Sequence, residues 1–553
     1  MWLALGGTWR LSRTGLGAVA GSGTRGCGSR PRLPHHGGWY KAWVPASRGP
    51  AMLTAFLLLL LLLLLGLGLG LGRQRGALPG PLALPLLGHL PHLLHPHLPQ
   101  HLLRLAQRHG PLYCLHLGSR DVLVLNTAET IREALLRHWG DLAGRPPSYL
   151  GALVSLGGQD LSLGDVGEPW RRQRRAATSG LLWAQRQRLA PILARRAAGL
   201  ARIFRSYEGA AVDLTSHFTL HTAHVICDLI FGPMMPSEAE IRDFTACITE
   251  LVQLWSCISI QALDTVPLLR ILPNPSLQRL LQVVEKRDAF VRAQIQRHQE
   301  SLEPERPRDV VDHLLLAMGD LGPKRLHMAL VDLFIGGTET TAALLAWACA
   351  FLVRHPEVQD RIHAELQDVL GPTAPLRPRD RDRLPLLSAT LNETLRLRPP
   401  VPLALPHRTT RPTSVAGMSI PQDTIVIPNL FAAHHDETKW LEPEEFRPER
   451  FLAPGALRDL LPFSCGARAC PGEALARAEA LVTLGRLLRE FRLEPAVLGT
   501  LPALSVVSFG IVLRCPSLCL RLVPRPRAPP PARGHTLVTP LPGVMTPLPG
   551  ELP

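Results

Sequence analysis

The stretch MALVDLFIGGTETTAALLAWACAFLV, residues 328–353, sets the strongest limit on how this chain folds. It holds no proline, and its length and apolar content read as one continuous helix of ~39 Å at 1.5 Å per residue. A membrane span has the same length. Asp332, Glu339 and the cluster Thr338, Thr340 and Thr341 lie in its middle, where lipid makes such groups expensive, so the helix is assigned to the protein interior and not to a bilayer. Paired glycines inside a helix cost roughly 1 kcal/mol each relative to alanine, so Gly336 and Gly337 need a compensating reason. Close approach of a ligand is one, with the acid Glu339 and the alcohol Thr340 beside it as a proton source; a plain helix kink is the other.

The remaining chain reads as mainly α with a minor β region. PLYCLHLGSRDVLVLN (111–126) has two β-rich runs parted by Gly-Ser, a hairpin pattern. From about 127 to 370 apolar residues recur three and four apart, as in TIREALLRHWGDL and PEVQDRIHAELQDVL. Proline-rich irregular chain with short strands follows over 398–465, then a last long helix from about Glu473 and a β-like stretch, LSVVSFGIVLR.

Hydrophobic residues make up 46% of the chain and charged residues 19%, which allows a large core and excludes global disorder. A net charge of +15 suggests a nucleic-acid partner, but residues 1–50 alone carry seven Arg or Lys and no acid. The domain between the tails is only mildly basic and has no zinc-finger spacing or aromatic-basic platform, so nucleic acid is discounted. The ten cysteines do not pair at disulfide or zinc spacings, which fits a reducing compartment.

Residues 53–72 run for twenty residues without a charge, the length of a bilayer span, and no small-residue cleavage site follows. Arg73 and Arg75 favour keeping the downstream chain cytosolic. The expected organisation is a basic N-terminal extension (1–51), dispensable if translation starts at Met52, and a transmembrane anchor (52–75). A proline-rich hinge (76–95), one large domain (96–523) and a proline-rich disordered tail (524–553) follow. The Arg-rich, acid-free extension also has the character of a transit peptide.

FSCGARACPG (463–472) offers one cysteine, Cys470, from a tight loop at the mouth of a helix, where helix-end amides and Arg468 are expected to lower the thiol pKa and make a metal ligand. Its spacing Phe-x-x-Gly-x-Arg-x-Cys-x-Gly resembles the haem-binding loop of the cytochrome P-450 monooxygenases. The resemblance implies the cytochrome P-450 fold and a haem b with Cys470 as axial iron ligand. GGTETT is similar to the family's oxygen-activation motif, which implies that Glu339 feeds protons inward and Thr340 assists at the oxygen. Glu393 and Arg396 match the family's Glu-x-x-Arg, and Arg450 in FRPERF its third member. They imply a buried structural network bracing the cysteine loop, a solvated surface ion pair being the plain alternative. Trp170 and Arg174 (Trp-x-x-x-Arg), His407, Arg468 and Arg145 are the implied partners of the haem propionates. Pro471 removes one amide beside the sulfur, a change of tuning at most.

The segments GRPPSYLGALVSLGGQDLSLGD, LPNPSLQRLLQVVEKRDAFV and RLPLLSATLNETLRLRPPVPLALPHRTTRPTS are similar to the steroid 21-hydroxylase branch of that family. The branch implies oxygen insertion into the 21-methyl of progesterone and 17α-hydroxyprogesterone, giving 11-deoxycorticosterone and 11-deoxycortisol. Electrons would come from NADPH through the FAD and FMN of cytochrome P-450 reductase, at the endoplasmic reticulum membrane with the catalytic domain cytosolic. The branch also implies that Arg287 hydrogen-bonds the steroid 3-keto group and that Asp332 lines the pocket. For Arg287 an exposed pairing with Glu285 or Asp288 is the alternative. Two other readings stay open: a related steroid hydroxylase of different regiochemistry or fed by a mitochondrial ferredoxin, and a haem-binding protein without turnover.

Overall fold

The computed structural model describes residues 54–65, 78–84, 88–93, 95, 97–117, 120–371, 374–497, 499–501, 504, 507–509 and 511–526. The extension before residue 54 and the tail beyond 526 lie outside the described residues, as do residues 66–77 of the anchor and hinge.

Helices α1 (Thr54–Leu65), α2 (Leu90–Leu93) and α3 (Leu98–His109) precede a hairpin of β1 (Leu112–Leu117) and β2 (Arg120–Leu125). Then come α4 (Ala128–Arg132), which continues as a π-helical turn (Glu133–Arg137), α5 (Trp139–Leu142), α6 (Tyr149–Val154) and the 38-residue α7 (Glu168–Arg205). After β3 (Ala211–Asp213) the chain is helical through α8 (Leu214–Phe231), α9 (Glu238–Trp255), α10 (Ile258–Thr265), α11 (Pro275–Glu300) and α12 (Val310–Met318). It continues through α13 (Pro323–Arg354), α14 (Pro356–Leu370) and α15 (Pro385–Leu397). Short strands β4 (His407–Arg408), β5 (Thr413–Val415), β6 (Met418–Ile420) and β7 (Ile425–Pro428) lead to α16 (Leu430–His434) and α17 (Glu473–Glu490). The last strands are β8 (Phe491–Pro495), β9 (Val507–Phe509), β10 (Val512–Arg514) and β11 (Cys519–Pro524).

The order of elements is the one the periodicity predicts, with three differences: α2 lies in the stretch read as a proline-rich hinge, α16 lies in the stretch read as irregular chain with short strands, and one strand lies in the helical stretch. Ala211–Asp213, inside the stretch read as helical, is a strand because it pairs antiparallel with β11, Ala211 opposite Arg521. A partner three hundred residues away leaves no local period to read. The larger sheet has the order β1-β2-β7-β4, with β2 and β7 parallel, and a second sheet has the order β3-β11-β8.

The helix that opened the sequence argument is α13, and it is the core. Proline at its first turn and Pro356 just past its end fix its limits. From Thr341 to Val353 every residue is buried, and the Trp347 indole N–H donates to the Leu513 carbonyl at 3.0 Å. An all-round apolar helix enclosed by protein needs no lipid.

The described part of the hinge is docked rather than free. The Cys114 amide donates to the Pro79 carbonyl at 2.7 Å, and a Cβ at Gly80 would lie 2.3 Å from the Cys114 carbonyl oxygen. Only glycine allows that approach.

Candidate active site

Cys470 sits where a 3₁₀ turn (Gly466–Arg468) meets α17, and the loop that carries it is held by backbone contacts. Gly466 has φ +77°, and a Cβ there would lie 2.0 Å from the Leu135 carbonyl oxygen in the π-helical turn, so this position admits glycine alone. The Cys470 amide donates to the Phe463 carbonyl at 3.0 Å, and the Arg477 guanidinium stacks on the Phe463 ring at 4.9 Å.

Cys470 lines a cavity, and the surface it exposes includes that wall. Burial pushes its pKa up, while the Gly472 amide and the Arg174 charge pull it down by less. This corrects the sequence expectation of a lowered thiol pKa: desolvation outweighs the helix-end amide and the cation. A thiolate is stable here only with a further positive charge against it, and a coordinated metal ion supplies one.

The cavity has a volume of about 290 Å³. Cys470, Phe463 and Pro471 line one side, and Gly336, Gly337, Thr340 and Thr341 of α13 also form part of its wall. The paired glycines have different reasons. A Cβ on Gly336 would meet nothing within 4 Å, whereas one on Gly337 would meet the Ile226 side chain of α8 at 2.7 Å. One glycine opens the cavity and the other lets two helices touch, so ligand approach accounts for only the first. Thr340 faces the cavity with its hydroxyl donating to the Gly336 carbonyl at 2.7 Å. Glu339 is set behind this wall: it is buried, accepts from the Thr249 hydroxyl at 2.9 Å, and is ion-paired with Arg514.

Four cationic or titratable groups converge on the same space. Arg145 donates to the carbonyls of Ser162, Leu405 and Pro406, and Arg468 to those of Ala143, Leu161 and Gly164. Arg468 also stacks at 3.9 Å on Trp170, whose indole N–H donates to Leu161. Arg174 bonds the Ala469 carbonyl. His407 Nδ1 donates to the Leu142 carbonyl at 2.7 Å, leaving Nε2 as the free ring nitrogen. Burial lowers the pKa of Arg145, Arg468 and His407, Arg468 to about 10, and the Arg145 and Arg468 charges oppose each other and His407. Asp160 and Asp165 offset part of this charge. Mutual repulsion among buried cations is relieved by an anion, so an anionic group is favoured beside them. These residues fit a haem: the cations would hold its two propionates, and Cys470 would ligate its iron.

Asp332 lines the cavity and accepts from the Leu161 amide at 2.6 Å and the Ser162 hydroxyl at 2.9 Å. Burial first and the Asp160 charge second push its pKa up to about 8. Arg287 is not exposed, as its plain alternative would have it. It is buried on α11, donating to Asp288 at 2.8 Å and to the Val154 carbonyl of α6 at 2.8 Å, and it is not among the residues that line the cavity.

Glu393 and Arg396 are wholly buried on α15 and joined by two bonds of 2.7 and 2.8 Å. Arg450 adds a 3.0 Å bond to Glu393, and Arg396 reaches on to the His434 and Pro443 carbonyls. Arg514, Thr249, Asp160 and the Leu135 carbonyl were not found by sequence reasoning. Each meets the site across a long sequence separation, and none stands in a local motif.

Residues 78–514 match the family described as Cytochrome P450. The chain is 47% identical to the steroid 21-hydroxylase of Bos taurus, covering 80% of this chain and 91% of that one. It is 45% identical to the steroid 21-hydroxylase of Homo sapiens, covering 78% and 90%. Among solved structures, a zebra fish cytochrome P450 with progesterone superposes with a TM-score of 0.70 at 32% identity, covering 77% of this chain and 99% of that one. With a cysteine loop, a glycine-notched helix and a cationic rim around one cavity, the chain belongs to the cytochrome P450 family.

Proposed function

We propose that the protein is a steroid 21-monooxygenase that oxidises the 21-methyl of progesterone and 17α-hydroxyprogesterone to 11-deoxycorticosterone and 11-deoxycortisol. The observation that carries the reading is the single cavity lined by both Cys470 and the Gly336–Thr340 face of α13. The names of the similar hydroxylases support the substrate. Haem bound to Cys470 supplies the oxidising chemistry, one oxygen atom of O2 entering the C–H bond and the other leaving as water at the expense of two electrons and two protons.

The chain's own residues do the rest. Arg145, Arg174, Arg468 and His407 neutralise the propionates; His407, already donating through Nδ1, must gain a proton at Nε2 to donate there as well. Thr340 holds a hydroxyl at the cavity wall, and Glu339 is the carboxyl behind it that replaces protons consumed there. Apolar groups such as Leu181, Ile226, Leu333 and Val401 exclude water from the rigid substrate. Arg287 holds the steroid 3-keto group, which requires the α6 segment carrying Val154 to share or yield its bond. Asp332 ties α13 to the 161–162 loop at the pocket wall.

Electrons come from NADPH through cytochrome P-450 reductase, and the apolar segment containing α1 anchors the protein to the endoplasmic reticulum membrane with the domain in the cytosol. The described α1 side chains are exposed and, from Phe56 to Leu65, wholly apolar. The test is product analysis: membranes carrying the protein, reductase, NADPH and either steroid yield 21-hydroxylated product. Oxygen at any other carbon contradicts the reading.

A further inference from the structure

The β1–β2 hairpin carries three chemistry-bearing side chains that the active site does not use. Cys114 and His116 are two apart on β1 and so share one face of the sheet. Asp121 stands opposite His116 across the ladder, with His116 Nδ1 2.7 Å from its Oδ1. The Cys114 sulfur, a His116 ring nitrogen and an Asp121 carboxylate oxygen all lie within 4.8 Å of one another. Cys114 is buried, whereas His116 and Asp121 are half-buried. One cysteine, one histidine and one aspartate give no cysteine-pair spacing to read in the sequence.

We propose that Cys114, His116 and Asp121 bind one divalent transition metal of the zinc class. A thiolate, an imidazole and a carboxylate are the three ligand types that zinc takes, and the soft sulfur selects against calcium and magnesium. A tetrahedral zinc holds such ligand atoms about 3.4–3.6 Å apart. The 2.7 Å contact between His116 and Asp121 therefore opens by about 0.7 Å. The sulfur closes by no more than about 1.2 Å from the 4.8 Å limit. Side-chain rotation on a fixed hairpin covers both movements. The half-buried flank of His116 and Asp121 leaves the fourth position to water.

The electrostatics of the cluster favour a cation. Burial pushes the Cys114 thiol up to about 12, and the Asp121 charge adds to the push, so the carboxylate is felt at the sulfur. A divalent ion between them answers both, and its binding sends the thiol proton to solvent. Among the described residues Asp121 pairs with His116 and with no arginine or lysine. The group of His298, Asp309 and Asp312 has ligand atoms equally close together, but a cation is already in place there. The Arg308 guanidinium donates to both Asp312 oxygens, at 2.7 and 3.0 Å. The backbone of Cys114 and His116 also holds the chain that leads into the domain. The Cys114 amide donates to the Pro79 carbonyl, and the His116 amide donates to His89 Nδ1 at 2.7 Å. A metal on their side chains fixes the strand edge on which Pro79 and His89 dock.

The test uses the full chain, haem-loaded and in detergent, after treatment with a chelator. Zinc is titrated against a chromophoric competitor. One equivalent is expected to bind, with affinity reduced roughly tenfold or more in Cys114→Ser and in Asp121→Asn and unchanged in Cys519→Ser, which removes an exposed thiol elsewhere. An unchanged haem spectrum reports that each variant is folded. Equal zinc affinity in Cys114→Ser and the parent, or an equal loss in Cys519→Ser, overturns the proposal. X-ray absorption at the zinc edge needs no variant. One sulfur at about 2.3 Å among nitrogen and oxygen ligands supports the assignment, and a coordination shell without sulfur overturns it.

Discussion

The two sides of the cavity are built in different ways. The cysteine side is fixed by backbone: Gly466 against the Leu135 carbonyl and Cys470 N–H on Phe463, with the wholly buried Glu393–Arg396 pair as a further rigid element of the core. The α13 side and the pocket beyond it are held by side chains that can exchange partners, namely Glu339 with Thr249 and Arg514, Asp332 with Ser162, and Arg287 with Asp288. A metal ligand needs a position that does not change. Groups that move protons or receive a substrate need contacts that can be traded.

The largest effect is expected where the rigid network loses a member. Glu393→Ala leaves Arg396 buried and uncompensated, which costs about 3–5 kcal/mol, and denaturant titration should show it together with loss of haem retention. A fully folded, haem-retaining Glu393→Ala protein would break the contrast. Next, Thr340→Ala and Glu339→Gln should each lower kcat by about 10²-fold or more, Thr340→Ala with hardly any change in thermal midpoint and Glu339→Gln with a smaller loss than Glu393→Ala, because Arg514 keeps a hydrogen-bonding but uncharged partner. If either lost stability as Glu393→Ala does, that side would be scaffold as well.

Arg287→Leu should weaken substrate binding and also lower stability, because buried Asp288 keeps only His327 as a partner. Losing a charge-assisted hydrogen bond of roughly 1.5–3 kcal/mol raises KM for progesterone by about 10- to 100-fold, and a steroid lacking the 3-keto group should not distinguish variant from parent. Asp332 is read not in turnover but as a pH dependence of stability. Its pKa is about 8 in the folded protein against 3.8 for an unperturbed aspartate, so the folded state holds the extra proton. This group therefore makes stability fall as pH rises from about 4 through 8. Asp332→Asn should flatten that slope in thermal melts, and an unchanged slope would assign the pH dependence elsewhere.

The rigid side was the legible one. Glu393 and Arg396 sit in a short motif because an i, i+3 ion pair is a local requirement, and Gly466 and Cys470 share one loop motif, although the Leu135 carbonyl that makes Gly466 necessary comes from a distant element. The length and interior place of α13 could be read because lipid excludes Asp332 and Glu339. The other side was read in part. Thr340 and Glu339 stand in a motif, but the Arg514 and Thr249 contacts that hold the acid come from distant elements. The direction of the Cys470 pKa shift was misread because burial depends on the whole fold and outweighs the local amide and charge. Arg287 could be placed on a helix, but not its burial against Val154, which depends on α6 packing on α11.

The most direct test of the central account is the spectrum of the reduced, haem-loaded chain under carbon monoxide. Thiolate ligation by Cys470 gives the strongly red-shifted Soret band of haem-thiolate proteins, and Cys470→Ser loses both this band and 21-hydroxylation. A histidine-type spectrum in the parent, or the red-shifted band persisting in Cys470→Ser, would contradict it.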